Sequence, residues 1–197
     1  VSVRKVFKSS KVGNIAGCRV TGIELQPALV RLAGDNVRLN GLAGRVEIMV
    51  GDMARPLPPR ASGGFDHVMI NPPHQRQGAG RPPPDAGKAL ANVEQGLGLA
   101  GWIEASLTRL RPKGMLTLIH RADRLDELLG LLHGRAGEMV VFPLWPAPGK
   151  PAVRVIVQAR KDVATPLRLA PGMLLHGADG SYTVAADAVL RGAGLNL

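Results

Sequence analysis

Four consecutive residues, Asn71-Pro72-Pro73-His74, carry the chain's most specific chemistry. Two prolines fix the backbone and remove two N–H donors. What remains is a pair of acceptors, the Asn71 side-chain carbonyl and the Pro72 main-chain carbonyl, followed by an imidazole able to lie on a planar ring. An amine donating both hydrogens to such a pair is drawn out of conjugation with its ring. Its lone pair then becomes available for attack. The competing reading is a strand that simply ends in a proline turn. The apolar run Phe65–Ile70 directly before the motif predicts a strand end under either reading.

Two carboxylates stand at comparable places. Glu24 closes the run Cys18-Arg19-Val20-Thr21-Gly22-Ile23-Glu24, just ahead of a helical stretch. In nucleotide-binding α/β folds an acid there accepts hydrogen bonds from both ribose hydroxyls. Asp52 closes the next run, in Val50-Gly51-Asp52. A carboxylate there can accept from the exocyclic amine of an adenine, and the glycine lets the backbone lie close to the ring. A solvated Glu and a turn-forming Asp are the plain alternatives. Two acids at successive strand ends together point to an adenosine-binding edge.

The remaining reactive side chains support other chemistries poorly. His67, His120, His133 and His176 make no helix-spaced pair around a carboxylate, and the single Cys18 cannot build a CxxC site, so a metal centre is not expected. Ser106 lies in a helical stretch without a G-x-S-x-G elbow, against a serine hydrolase. Ser181-Tyr182 and Lys150 fall in exposed loops as candidates for RNA contact, with an ordinary surface role as the alternative.

The elements that must position these groups are readable from periodicity. Strands are predicted at 18–24, 45–50, 65–70, 115–120, 138–144 and 152–160. Helices are predicted from Pro27 to Asn40, from Lys88 to Leu110 and from Arg124 to His133. Pro112-Lys113-Gly114 reads as a turn, the Pro- and Gly-rich stretch from Gln75 to Gly87 as a mobile loop, and 173–176 with 181–184 as a closing hairpin-like pair. Alternating strands and helices predict a mostly parallel α/β sheet. The last two long strands have no crossover helix between them, which predicts an antiparallel pair at one edge.

Composition bounds the partner. The chain has 197 residues, 45% hydrophobic and 20% charged, enough for one domain with a real core. Its formal net charge of +10, carried mainly by arginine, favours a phosphate-bearing partner. Aromatic residues are only 3%, against a sheet that stacks several RNA bases. No apolar run is long enough to span a bilayer and no secretory leader opens the chain, so a cytoplasmic location is expected.

Thr21-Gly22-Ile23-Glu24-Leu25, Gly51-Asp52 and Asn71-Pro72-Pro73-His74, in that order, resemble class I S-adenosylmethionine-dependent methyltransferases. More narrowly, the chain resembles the bacterial valine-tRNA adenine-N6 methyltransferase family, including the stretch Leu175-His176-Gly177-Ala178-Asp179-Gly180-Ser181-Tyr182-Thr183. The resemblance implies a Rossmann-like α/β fold and methyl transfer to the exocyclic amine of adenine in RNA, with tRNA as substrate. It assigns Glu24, Leu25, Gly51, Asp52, Met53 and Asn71 to the cofactor, and Asn71, Pro72, Pro73 and His74 to catalysis. His74 stands where that family usually has Tyr or Phe. The family's first strand and D-x-G-x-G-type loop have no counterpart before Arg19. Residues 1–18 are therefore expected to be an atypical N-terminal segment and 19–197 a methyltransferase domain lacking its first strand. The alternative is an inactive, truncated remnant that binds RNA or a partner without catalysis. An NAD-dependent oxidoreductase ranks last, since G-x-G-x-x-G is missing.

Overall fold

The computed structural model describes residues 18–58, 64–73, 97–195 and 197. His74, the loop from Gln75 to Gly87 and the segment before Cys18 lie outside the described residues. The chain divides into two compact units, Val1–Ser62 and Gly63–Leu197.

In the first unit, β1 (Val20–Glu24) pairs in parallel with β2 (Val46–Val50), Glu24 lying opposite Val50. Parallel neighbours need a crossover, and α1 (Pro27–Leu39) provides it. Pro27 takes the first helical position, where its missing N–H costs nothing. The stop is a Schellman motif. Gly41 sits at φ 65°, its N–H bonding Arg38 O at 3.0 Å, and Leu42 N–H reaches back to Val37 O at 2.9 Å. Leu42 and Val37 then pack with Val46, with Val20 and Ile48 against them. The cap and this small core are one device.

The second unit is built on a sheet in the order β3-β4-β6-β5-β7, with β8 also on β5. Its strands are β3 (Phe65–Ile70), β4 (Leu110–Arg121), β5 (Ala136–Trp145), β6 (Arg154–Lys161), β7 (Arg168–Leu169) and β8 (Met173–Leu174). The helices are α2 (Gly98–Arg109), α3 (Leu125–Leu132) and α4 (Val184–Leu190). β3 and β4 run parallel, and β5 and β6 form the antiparallel pair that the missing crossover predicts. β6 lies inside, antiparallel to β4 as well. Leu116, Leu118 and His120 face Ala159, Val157 and Val155 across that ladder, all buried. Leu99, Ile103 and Leu107 of α2 and Leu128 and Leu132 of α3 are buried too. A separate cluster, Val140, Phe142 and Ala170, is sealed by Leu144, Ile156, Met173, Leu195 and Leu197.

Two expectations need correcting. Pro112-Lys113-Gly114 does not end an element but is absorbed into β4. The register jumps from Phe65↔Leu110 to His67↔Met115, so the surplus residues bow out, with Lys113 at φ 62°. A Cβ on Gly114 would come 2.9 Å from Arg111 O and 3.0 Å from Phe65 O, so the bow admits only glycine there. The closing hairpin shrinks to a single bridge, His176↔Tyr182. Val184 begins α4 instead, because the Thr183 hydroxyl caps that helix, accepting from Ala186 N–H at 3.2 Å.

Candidate functional site

In the first unit, Glu24 ends β1 and Asp52 follows the last residue of β2 by two positions, at the same carboxyl edge. Gly51 N–H donates to Glu24 O at 3.0 Å, tying the two strand ends together. The Glu24 carboxylate is buried at 4% exposure and accepts from Gln26 N–H at 3.0 Å. Leu25 is exposed and Met53 buried. Asp52 makes a local turn: one oxygen accepts from Ala54 N–H at 2.9 Å, and the other lies 3.6 Å from Arg55 Nε. A carboxylate has lone pairs beyond those two contacts. Gly51 has a packing reason of its own, since a Cβ there would meet Leu57 at 2.8 Å and Ile23 at 2.9 Å.

In the second unit, β3 delivers Asn71, Pro72 and Pro73 at its carboxyl end. Ile70 lies opposite Leu118, so the motif runs alongside the last residues of β4. Pro72 is fully buried. Asn71 Oδ1 is buried and has no hydrogen-bond partner among the described residues. Such an acceptor costs about 1–3 kcal/mol of folding stability, so the position is one where the fold gives something up. His120, at 1% exposure, places Nε2 3.3 Å from the Pro73 carbonyl. A carbonyl only accepts, so this contact calls for the proton on Nε2. His120 thereby pins the peptide that follows Pro72.

Spacing alone gives no route to this role for His120. Testing histidines against metal-ligand patterns passes over it, and nothing in the chain's order ties residue 120 to residue 73. The usable signal is placement, a histidine closing the strand beside the motif strand. Beyond it, Arg121 donates from Nε to Asp123 Oδ1 at 2.8 Å, holding that carboxyl below the usual carboxylate range. Among the described residues, no group of three or more His, Cys, Asp or Glu is placed to hold a metal ion, and no helix is long and apolar enough to cross a membrane.

No family model and no curated protein sequence matches the chain. Solved structures do. A predicted O-methyltransferase of Agrobacterium tumefaciens matches with a TM-score of 0.68 at 20% identity, over 94% of this chain and 95% of that one. A tRNA methyltransferase of Aquifex aeolicus matches at TM-score 0.52 and 14% identity, over 78% of this chain and 57% of its own. The cyclase SpnF does so at TM-score 0.52 and 15% identity, over 78% and 69%. The chain has the Rossmann-like α/β fold of class I methyltransferases. At such identities the likeness concerns fold, and chemistry must come from the site.

Proposed function

We propose that this chain transfers a methyl group from S-adenosylmethionine to the exocyclic amine of an adenine in RNA, with tRNA as the expected substrate. The observation that carries the reading is Asn71 Oδ1 at the end of β3, buried without a partner among the described residues, directly before two prolines. A buried acceptor with no partner among the described residues is explained if a donor arrives with the substrate. The net charge of +10 supports a polyanionic substrate.

The residues present fit the cofactor by their chemistry. Glu24 is a buried carboxylate at a strand's carboxyl end, suited to two ribose hydroxyls, and Asp52 is an acceptor suited to an adenine amine. Leu25, Gly51 and Met53 supply the apolar and close-packed surroundings, and Asn71 is assigned to the cofactor by the family resemblance alone. When bound, S-adenosylmethionine supplies an electrophilic methyl carbon. The protein's part is orientation. Asn71 Oδ1 and the Pro72 carbonyl each accept one amine hydrogen, turning the nitrogen lone pair outward. Pro73 fixes the backbone and His120 holds its carbonyl, while His74 is assigned to stacking on the base. A base in a stem or loop must leave its stack to reach these acceptors.

The test pairs calorimetry with S-adenosylmethionine and transfer of a labelled methyl group to tRNA. Asn71→Ala should cut transfer by about a hundredfold or more while cofactor affinity changes little. Equal loss of both would remove the role given to Asn71. Absence of binding heat at millimolar cofactor would favour a chain that binds RNA or a partner without catalysis.

A further inference from the structure

The carboxyl edge that presents Asn71 continues across the sheet of the second unit. From β3 it passes the end of β4 at Arg121, the start of β6 at Arg154, the end of β5 at Trp145, and the end of β8, from which the chain reaches His176. Four strand spacings of about 4.8 Å make this edge roughly 19 Å long.

Three features of the edge are unexplained by folding. Arg121 and Arg154 are direct partners across the β4–β6 ladder, and like charges so placed destabilise a sheet. Asp123 compensates Arg121. Exposed Arg154 has no carboxylate among the described residues, and neither has exposed Lys150 in the loop between β5 and β6. At the far end, Tyr182, the chain's only tyrosine, stacks on His176 with ring centroids 4.7 Å apart and planes at 27°. Tyr182 nevertheless remains 54% exposed, so the ring's other face is open. Its support is rigid. His176 Nδ1 lies 3.0 Å from Pro146 O, and Thr183 Oγ1 donates to Leu174 O at 2.7 Å. Asp179, the carboxylate of this loop, is engaged by the Ser181 N–H at 3.0 Å and hydroxyl at 2.8 Å. A buttressed aromatic face with two uncompensated cations between it and Asn71 has the composition of a single-strand platform: cations for the backbone, a ring for a base.

We propose that this edge is the path of a single-stranded RNA segment flanking the target base. Lys150 and Arg154 take phosphates and Tyr182 stacks an unpaired base. The inference rests on the RNA substrate proposed above and adds where the strand runs. Stacked nucleotides place one phosphate per ~3.4 Å of strand, and extended ones are wider apart, so the edge accommodates a few nucleotides.

The experiment is fluorescence anisotropy with a dye-labelled, adenine-containing single-stranded RNA oligonucleotide, titrated at several salt concentrations. Arg154→Ala and Lys150→Ala should each lower the slope of log affinity against log salt by about 0.7. Tyr182→Ala should weaken binding roughly tenfold or more with the slope unchanged, and Tyr182→Phe should restore it. Circular dichroism of each variant checks the fold. Wild-type affinity for Tyr182→Ala, an unaltered slope with both cations removed, or no salt-dependent binding by the wild type would each overturn the proposal. Methyl transfer indifferent to these variants would overturn the path while leaving the proposed reaction standing. Platform-dependent binding without any transfer would do the reverse.

Discussion

Replacing Asn71 separates a structural from a functional role by the sign of a stability change. Its Oδ1 is buried without a partner among the described residues, and that desolvation costs the fold about 1–3 kcal/mol. Asn71→Ala removes the cost. It also removes the packing of a small, half-buried carboxamide, worth about 1 kcal/mol by area. The balance lies between roughly zero and 2 kcal/mol in favour of the variant. For a chain of this size about 1 kcal/mol moves Tm by roughly 2–4 °C, so Tm should stay level or rise by a few degrees. Asn71→Leu, closer in volume and apolar, should gain at least as much. Thermal unfolding followed by far-UV circular dichroism gives Tm, and labelled-methyl transfer on the same samples gives activity. Were Asn71 an ordinary strand-end cap, its loss would cost stability. A Tm that falls by more than about 4 °C, with S-adenosylmethionine affinity falling in step, would refute the argument that this acceptor is held for a substrate.

Other consequences can be checked in parallel. Leu128 is fully buried on α3, so Leu128→Ala should cost about 2–5 kcal/mol and lower Tm by roughly 4–20 °C; a loss below about 1 kcal/mol would contradict its place in the core. Partial burial lowers the His67 pKa below 6.5, although the residue keeps an exposed flank and the effect is therefore small. The unfolded chain then takes the proton first, so this contribution is whole above about pH 6.5 and is lost as pH falls through that value toward the folded pKa. His67→Gln should flatten the dependence of Tm on pH between about pH 7.5 and about pH 5, and an unchanged dependence would remove His67 as its source. Gly172 sits at φ 84°, and a Cβ there would come 2.3 Å from Pro143 O and 2.8 Å from Trp145 Nε1. Gly172→Ala should therefore cost more than about 2 kcal/mol and break the 3.1 Å bond from Trp145 to Pro171 O; in a Trp102→Phe background the emission should shift to the red, and an unshifted spectrum would count against the contact. Because the acceptors proposed for the amine are neutral, transfer should change little between about pH 6.5 and about pH 8.5, whereas a unit slope would point to a titrating base.

Local sequence carried the framework wherever one segment determines its own geometry. Pro27 and Gly41 bracket α1 as the capping rules require, and the apolar run Phe65–Ile70 forms β3 as its residues predict. What resisted reading depends on a partner distant in the chain. Pro112-Lys113-Gly114 looks like a turn in isolation and becomes part of a bow in β4 only because Phe65 and His67 fix the register on either side. The stretch after Ser181 has strand-like residues, yet the Thr183 hydroxyl, held against Leu174 O nine positions earlier, caps a helix. Glu24, Asp52 and Asn71 were legible as strand-end residues. That Asp52 also closes a turn with Ala54, and that His120 pins Pro73, requires the third dimension. His74 and its loop fall outside the described residues, so their assignment rests on sequence alone.

The same fold houses a predicted O-methyltransferase, a tRNA methyltransferase and a cyclase, so it cannot choose the reaction. The reaction proposed above therefore rests on the groups at the end of β3. A hydroxyl is a poor nucleophile until it loses its proton, so attack from oxygen calls for a base or a metal beside the acceptor atom. An exocyclic amine needs neither. It already holds a lone pair, and what it lacks is release from conjugation, which two fixed acceptors provide. Asn71 and Pro72 offer neutral carbonyls and no titrating group. The nearby His120 contacts the Pro73 carbonyl through Nε2, an arrangement suited to a donor rather than a base. Pro72 is fully buried, and Asn71 Oδ1 is already buried before any ligand arrives. In the proposed reaction such an acceptor pair discriminates by donor count. An amine satisfies both acceptors, whereas a hydroxyl can satisfy only one and leaves the other buried and unmatched, at about 1–3 kcal/mol. That difference, roughly tenfold to a hundredfold in selectivity, is what ranks nitrogen ahead of oxygen as the target atom in the proposed reaction.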